Sequence, residues 1–381
     1  LIHKHEAIHA CLGKLENPAL TDFDQRETQR RLRELISQLW HTLEFREARP
    51  TPVDEARWGL AVVENSLWRA LPDYLRRLDE ALTAVTGMRL PLDASPIRFS
   101  SWMGGDRDGN PYVTSEVTEE VLLLGRWQAA SLYESALDQL IQELSMSAAI
   151  PELLELTGPQ REPYRRALSP LRDRVRRGKA AVERRLRGDP VDREHELLDP
   201  QDLWAPLKLC YDSLHACGMG EIADGSLLDL LRQVRCFGVN LLRLDIRQHS
   251  DRHTQVFDEV TRWLGIGSYA EWDESERQRW LREELANPRP LVPGDWQASA
   301  DAQEVIDTCR LIAVQPPGSL ACYIISMARQ VSDLLAVRLL LKMAGGDQSL
   351  PVVPLFETLA DLDRAPEVIG AYLEQEAALE N

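Results

Sequence analysis

The stretch Phe237 to Thr254 reads FGVNLLRLDIRQHSDRHT, and its first half decides the fold. Gly238 to Ile246 is a strand-length run, apolar on both sides, with helical sequence before and after it. Three other runs behave in the same way: Ile97 to Met103, Ala321 to Met327 and Val352 to Phe356. Continuous apolar strands alternating with helices predict a parallel sheet covered on both faces. The intervals between the runs are long, so further helices are inserted between strands. Polar residues able to do chemistry follow three of them: Gly104 to Pro111 after Trp102, Asp245, Arg247 and Gln248 after Leu244, and Glu357 after Phe356. Chemistry at the C-terminal ends of parallel strands is the arrangement of a (β/α)8 barrel. An open doubly wound sheet has it too, and the pattern leaves both open.

Around these runs the sequence is helical. Leu32, Leu35, Ile36, Leu39 and Leu43 follow the 3.6-residue period, in a helix that ends before Pro50. Further helices are predicted over about 56–86, 116–148, 160–187, 201–217 and 225–234, with a polar, proline-bounded surface loop at Gly188 to Pro200. Residues 1–95 thus read as helical, with helical insertions at 116–235 and 250–315, in a single incomplete domain over 1–381.

The chain has 381 residues, 44% hydrophobic and 28% charged, which is ample material for a core. No run of apolar residues is long enough for a membrane helix, so no membrane partner is expected. The net charge of −17 repels nucleic acid, which is therefore not an expected partner. The arginines from Arg161 to Arg187 are interleaved with acids and read as a solvated helix face. Six cysteines without a C-x-x-C pair fit free thiols in a reducing cytoplasm. The opening, Leu1 to Cys11, lacks the apolar segment of a signal peptide. A start at Leu1 gives the expectation that the chain is cut from something longer.

Three stretches could carry chemistry. Phe99 to Thr114, FSSWMGGDRDGNPYVT, combines two glycines, three charges and an Asn-Pro turn, and reads as a tight surface turn or a functional loop. It is not a calcium loop, because Pro111 and Val117 stand where glycine and glutamate are needed. In the second stretch Arg243, Asp245 and Arg247 share one face of a strand. They form either an internal ion pair or an arginine fork for a phosphate or carboxylate. His249 and His253 have the spacing of metal ligands on a helix, but no third ligand is near them. In the third, Glu357 could hold Mg²⁺ with waters and a substrate oxygen, or be an acid favoured at a helix N-terminus. His3, His5 and His9 read as surface residues, and no P-loop, G-x-G-x-x-G or G-x-S-x-G pattern is present.

Taken together, these stretches resemble the bacterial type of phosphoenolpyruvate carboxylase. The carriers are Ser101 to Pro111 (SWMGGDRDGNP), Leu244 to Gln248 (LDIRQ) and Pro354 to Thr358 (PLFET), with Pro52 to Ala56 and Cys217 to Gly220 between them. The resemblance implies a mainly α protein around a parallel (β/α)8 TIM-type barrel, of which this chain holds part, plus inserted helices. It implies carboxylation of phosphoenolpyruvate by bicarbonate to oxaloacetate and phosphate, with Mg²⁺ or Mn²⁺, by a cytoplasmic homotetramer. By motif, Arg247 would bind the substrate phosphate, Glu357 would be one of two metal carboxylates, and Trp102 and Leu355 would line the pocket around the methylene group. Tyr112 and His249 depart from the family's usual Asn and Glu.

The resemblance also implies pieces this chain does not carry: a T-A-H-P-T-E motif with a catalytic histidine, a G-Y-S-D-S-x-K-D motif with the second carboxylate and a lysine, and a G-R-G-G loop. No catalytic residue is therefore expected in this chain, which alone should be inactive and unstable. Two rival readings remain at this point. One is another metal-dependent enzyme acting on phosphoenolpyruvate or a related enolate. The other is a helical binding relative without activity.

Overall fold

The computed structural model describes residues 2–42, 49–158, 161–189, 195–293, 296–346 and 350–379. The chain divides into two compact units, Leu1–Pro50 and Thr51–Asn381. The first holds α1 (Ile2–Leu15) and α2 (Asp22–Trp40). Thr21 caps α2 by accepting from the Asp24 amide, satisfying a donor that a helix start leaves free. Lys4 joins the two helices through Thr42 Oγ1 at 2.8 Å. His5 and His9 are exposed; the side chain of His3 and part of the loop expected at Gly188 to Pro200 lie outside the described residues.

The second unit opens with α3 (Pro52–Val62), a π-helical turn (Val63–Leu67) and α4 (Trp68–Thr86), one continuous rod. Thr51 and Asp54 form a capping box at its start, and Gly87 ends it at a φ of 72°. Pro72, which cannot donate to the helix ladder, is the fifth residue of α4, one turn beyond the π-helical segment. Next come β1 (Ser100–Ser101), α5 (Ser115–Glu143), α6 (Pro151–Thr157), α7 (Pro163–Leu186), α8 (Gln201–Ala216), the single turn α9 (Gly220–Ile222) and α10 (Leu228–Phe237). Their apolar faces bury Leu137, Tyr133, Tyr164, Leu168 and Leu207 in one helical core. Trp68 stacks edge-on against Tyr133 at 5.3 Å.

β2 (Arg243–His249) then leads to α11 (Ser250–Trp263), α12 (Glu274–Ala286) and α13 (Ala300–Ala313). β3 (Leu320–Ser326), α14 (Val331–Met343), β4 (Val352–Pro354) and α15 (Leu359–Leu379) complete the unit. The four strands lie in the order β1-β2-β3-β4, every pair parallel. Spatial order thus equals chain order, with helices in every crossover. The protein is mainly helical around a small parallel sheet, as expected, with each strand falling within or beside its apolar run.

Three details of the sheet differ from expectation. β2 starts at Arg243, not Gly238, because Gly238 and Leu241 have φ of 59° and 63°, which no strand allows. Val239, Leu241 and Leu242 are apolar because they belong to the helical core. Asp245, Arg247 and Gln248 are accordingly within the strand rather than beyond it. β1 is only two residues long, since the chain turns at Trp102, whose carbonyl accepts from Gly105 and Asp106. Finally, the helical layer formed by α11 to α15 packs on one face of the sheet. Leu244, Ile246, Tyr323 and Ile325 point into it, together with Phe257, Leu281 and Leu335. Alternation sends Arg243, Asp245 and Arg247 to the opposite face, where charge escapes the apolar layer.

Candidate functional site

Arg247 sits near the C-terminal end of β2, and residues 102–108 fold back against it. Its amide donates to the Gly105 carbonyl and its carbonyl accepts from the Arg107 amide, both at 2.9 Å. The loop so rejoins the sheet as a parallel bridge between Asp106 and Arg247. Gly105 is required there: a Cβ would stand 2.0 Å from the Asp245 carbonyl oxygen. Gly104 adopts a φ of 80° at the turn. The side chain of Arg107 is buried and clamps the loop, donating to Thr118 Oγ1 at 2.7 Å and to the Gly105 carbonyl at 3.1 Å. Thr118, on α5, donates in turn to the Gly104 carbonyl at 2.7 Å.

The docked loop surrounds one guanidinium with carboxylates. Arg247 Nη2 donates to Asp108 Oδ2 at 2.8 Å, and Nη1 stands 3.6 Å from Asp106 Oδ2. Glu357 Oε1 is 3.6 Å from Nη2, reaching across from the end of β4. The ring of Trp102 lies under the guanidinium, 5.8 Å from centroid to Cζ, and is 55% exposed. Arg247 Nε is buried without an acceptor. An oriented cation flanked by an exposed aromatic face is suited to an oxyanion such as a phosphoryl group.

Leu355 continues β4 by one more ladder step. Its amide donates to Ile325 at 2.8 Å and its carbonyl accepts from Ala328 at 3.0 Å. This fixes the direction from which Glu357 leaves the sheet. Glu357 directly precedes Thr358, which caps α15 by accepting from the Asp361 amide at 3.2 Å. Geometry therefore brings Arg247, Trp102 and Glu357 to one place, with Leu355 at the same strand end.

The other candidates separate from the site. Asp245 accepts a hydrogen bond from the Cys322 thiol at 3.3 Å, and among the described residues it makes no ion pair with an arginine. Burial, then the nearby Asp245 carboxylate, pushes the Cys322 thiol up to about 12, which keeps it protonated. His249 caps α11 through Nδ1, accepting from the Asp251 amide at 3.1 Å. His253 is fully buried, 2.9 Å from the Tyr323 hydroxyl, and burial with His249 nearby lowers it to about 3. The two histidines thus have separate structural roles. Sequence reasoning missed Asp106 and Asp108 as partners of Arg247. They alternate as the ligands of a calcium loop do, and their spacing alone gives no sign of a guanidinium partner.

The side chains paired with Arg247 are carboxylates, whose oxygens suit a hard cation. Among the described residues no cluster of three metal-binding side chains occurs. Glu357 can supply one ligand to an ion that keeps several waters, as Mg²⁺ does. To that extent the residues present fit such an ion.

The phosphoenolpyruvate carboxylase family model matches residues 1–381. The chain is 55% identical over 376 residues to the phosphoenolpyruvate carboxylases of Pectobacterium atrosepticum and Pectobacterium carotovorum. It is 53% identical over 376 residues to that of Escherichia coli O81. Each match covers 98% of this chain and 43% of the relative, so the chain spans less than half the length of these curated relatives.

Proposed function

We propose, since this chain belongs to the phosphoenolpyruvate carboxylase family, that it supplies the phosphate-binding and metal-binding side of an active site carboxylating phosphoenolpyruvate. Bicarbonate attacks the phosphoryl group, giving carboxyphosphate and the pyruvate enolate. Carbon dioxide released from carboxyphosphate is then captured by the enolate carbon, giving oxaloacetate and phosphate. The observation that carries this reading is the meeting of Arg247 and Glu357 at 3.6 Å at one end of the sheet. One is a fork for phosphoryl oxygens and the other a carboxylate for a divalent cation.

In this reading Arg247 binds the substrate phosphate through the guanidinium donors that Asp108 leaves free. Trp102 and Leu355 form apolar walls for the methylene group. Glu357 contributes one carboxylate to Mg²⁺ or Mn²⁺. When bound, that ion supplies positive charge for the enolate oxygen. The four strands form part of a (β/α)8 barrel. Their sequential parallel order supports this, because a doubly wound sheet reverses its strand order at the switch point. The complete protein is a cytoplasmic homotetramer that supplies oxaloacetate, and this chain by itself is inactive.

The test is oxaloacetate formation by the complete protein containing this sequence, given phosphoenolpyruvate, labelled bicarbonate and Mg²⁺. Label should enter oxaloacetate, and Glu357→Ala should abolish it. Substrate turnover without label in a four-carbon product would reject carboxylation in favour of other enolate chemistry.

A further inference from the structure

Asp108 grips the guanidinium of Arg247 at 2.8 Å, and we propose that it is a positioning residue that sets Arg247 for the substrate phosphoryl group. The inference rests on the phosphate-binding reading of Arg247 and deepens it.

Arg247 is held twice by the same short segment. Gly105 and Arg107 hold its backbone through the two 2.9 Å hydrogen bonds, and Asp108 holds its side chain. Asp106 is too far at 3.6 Å to add a hydrogen bond, but its carboxylate accepts from the Asp108 amide at 3.0 Å and so fixes the turn that aims Asp108. The carboxylate that orients the fork is therefore registered against the strand residue that bears the fork.

The loop does not need the Asp108 contact to stay in place. The buried Arg107 clamp, its Thr118 partner and the backbone bridge anchor it without Asp108. The Asp108–Arg247 pair is also part-exposed, with 24% and 19% of the side chains accessible. Asp106 and Glu357 stay beside the guanidinium when Asp108 is changed, so the cost in stability should be small. What the pair does contribute is orientation. An arginine has a long stem, and binding an oxyanion must freeze it. A fork already fixed at one nitrogen loses less on binding, and its remaining donors point in a defined direction.

A double-mutant cycle in the complete protein tests this, reading KM for phosphoenolpyruvate and kcat for Asp108→Asn, Arg247→Lys and the pair. Loss of one charged hydrogen bond from a binding arginine should raise KM roughly 10- to 100-fold, with kcat nearly unchanged. In the Arg247→Lys background the same substitution should add less than about threefold, because an ammonium has no fork to orient. The melting temperature of Asp108→Asn should match the parent. If the amide variant fails to fold, Asp108→Ser must show the same KM rise and the same loss of effect beside lysine. A wild-type KM in Asp108→Asn, or an equal effect in both backgrounds, overturns the positioning role while leaving Arg247 as the phosphate ligand. A wild-type KM in Arg247→Lys overturns the phosphate-binding reading itself, and the positioning role with it.

Discussion

Glu357 Oε1 and Arg247 Nη2 stand 3.6 Å apart although β3 lies between the strands that carry them. Each is half of the proposed chemistry, and each holds the other while neither is engaged. A cation at Glu357 must be bound against the charge of Arg247. Arg247→Gln removes that charge and keeps a side chain of similar reach. Mn²⁺ affinity without phosphoenolpyruvate should then rise about two- to fivefold, the size of a solvent-screened ion pair. Titration of free Mn²⁺ by electron paramagnetic resonance reads this directly. Unchanged or weaker binding would show that the arginine charge does not reach the Glu357 carboxylate.

Gly105 gives a prediction that separates the loop from the chemistry. A methyl group there would lie 2.0 Å from the backbone oxygen of Asp245, which cannot yield as a flexible side chain can. Gly105→Ala must therefore push the loop off β2, breaking both backbone bonds to Arg247 and releasing Asp106 and Asp108. The expected cost is about 1–3 kcal/mol of stability, the range for overpacking. In the complete protein the proposed carboxylation should fall at least tenfold. Thermal melting with an activity assay checks both, and a variant with parental values in each would refute the tight docking.

The sheet was legible in the sequence because buried parallel strands leave apolar runs of the right length. The limits of that signal appear at Gly238 to Leu242. There apolarity serves a helical core and the backbone turns at positive φ, which composition does not encode. Charges at Arg243, Asp245 and Arg247 announced a separate face, and alternation does place them there. Which partner each would take was not legible. Asp245 went to a thiol on β3 and Arg247 to a loop preceding α5, contacts set by strand pairing rather than by spacing. Asp106 and Asp108 illustrate the same limit. Two acids two residues apart fit a solvated turn, a calcium loop or a guanidinium clamp, and the backbone bridge to β2 selects the last.

A buried ion network offers a further test, away from the site. Glu196 is inaccessible at its carboxylate and bridges Arg126 at 3.3 Å and Arg185 at 2.7 Å. Arg126 also reaches Asn240 at 3.0 Å and Gln315 at 2.6 Å, so the network ties α5 and α7 to the segments that precede β2 and β3. Removing the acid takes the buried carboxylate from Arg126, while Arg185 keeps Glu119 at 2.6 Å. Glu196→Ala should cost roughly 3–5 kcal/mol, the penalty for breaking a buried pair. Chemical denaturation measures it, and a loss below about 1 kcal/mol would mean that water enters and compensates.

His253 predicts an acid sensitivity with a defined window. The ring is fully buried against Tyr323, with no partner at Nδ1, and burial lowers it to about 3. In the unfolded chain it titrates near ~6.5. Above that pH both states hold the neutral ring and the histidine is silent. As pH falls through ~6.5 the unfolded chain takes a proton that the folded chain refuses, so stability declines. The decline continues until about 3, where the folded ring is protonated too. Each pH unit inside the window should remove close to ~1.4 kcal/mol from this group alone. The carboxylates of Asp79, Asp224 and Asp258, held low in the fold despite burial by their hydrogen bonds and arginine partners, add their own losses in stronger acid. The interval from about pH 6 to pH 5 lies above the ordinary carboxylate range, and because burial raises the Asp333 carboxyl it is the difference between the parent and the His253 variant that isolates the ring. His253→Gln retains a polar group that can meet the Tyr323 hydroxyl but does not titrate. Its stability, compared with the parent by urea denaturation at each pH, should fall less steeply across that interval. Parallel curves would mean that the ring is protonated in the folded state, and that the core around Tyr323 opens to admit the charge.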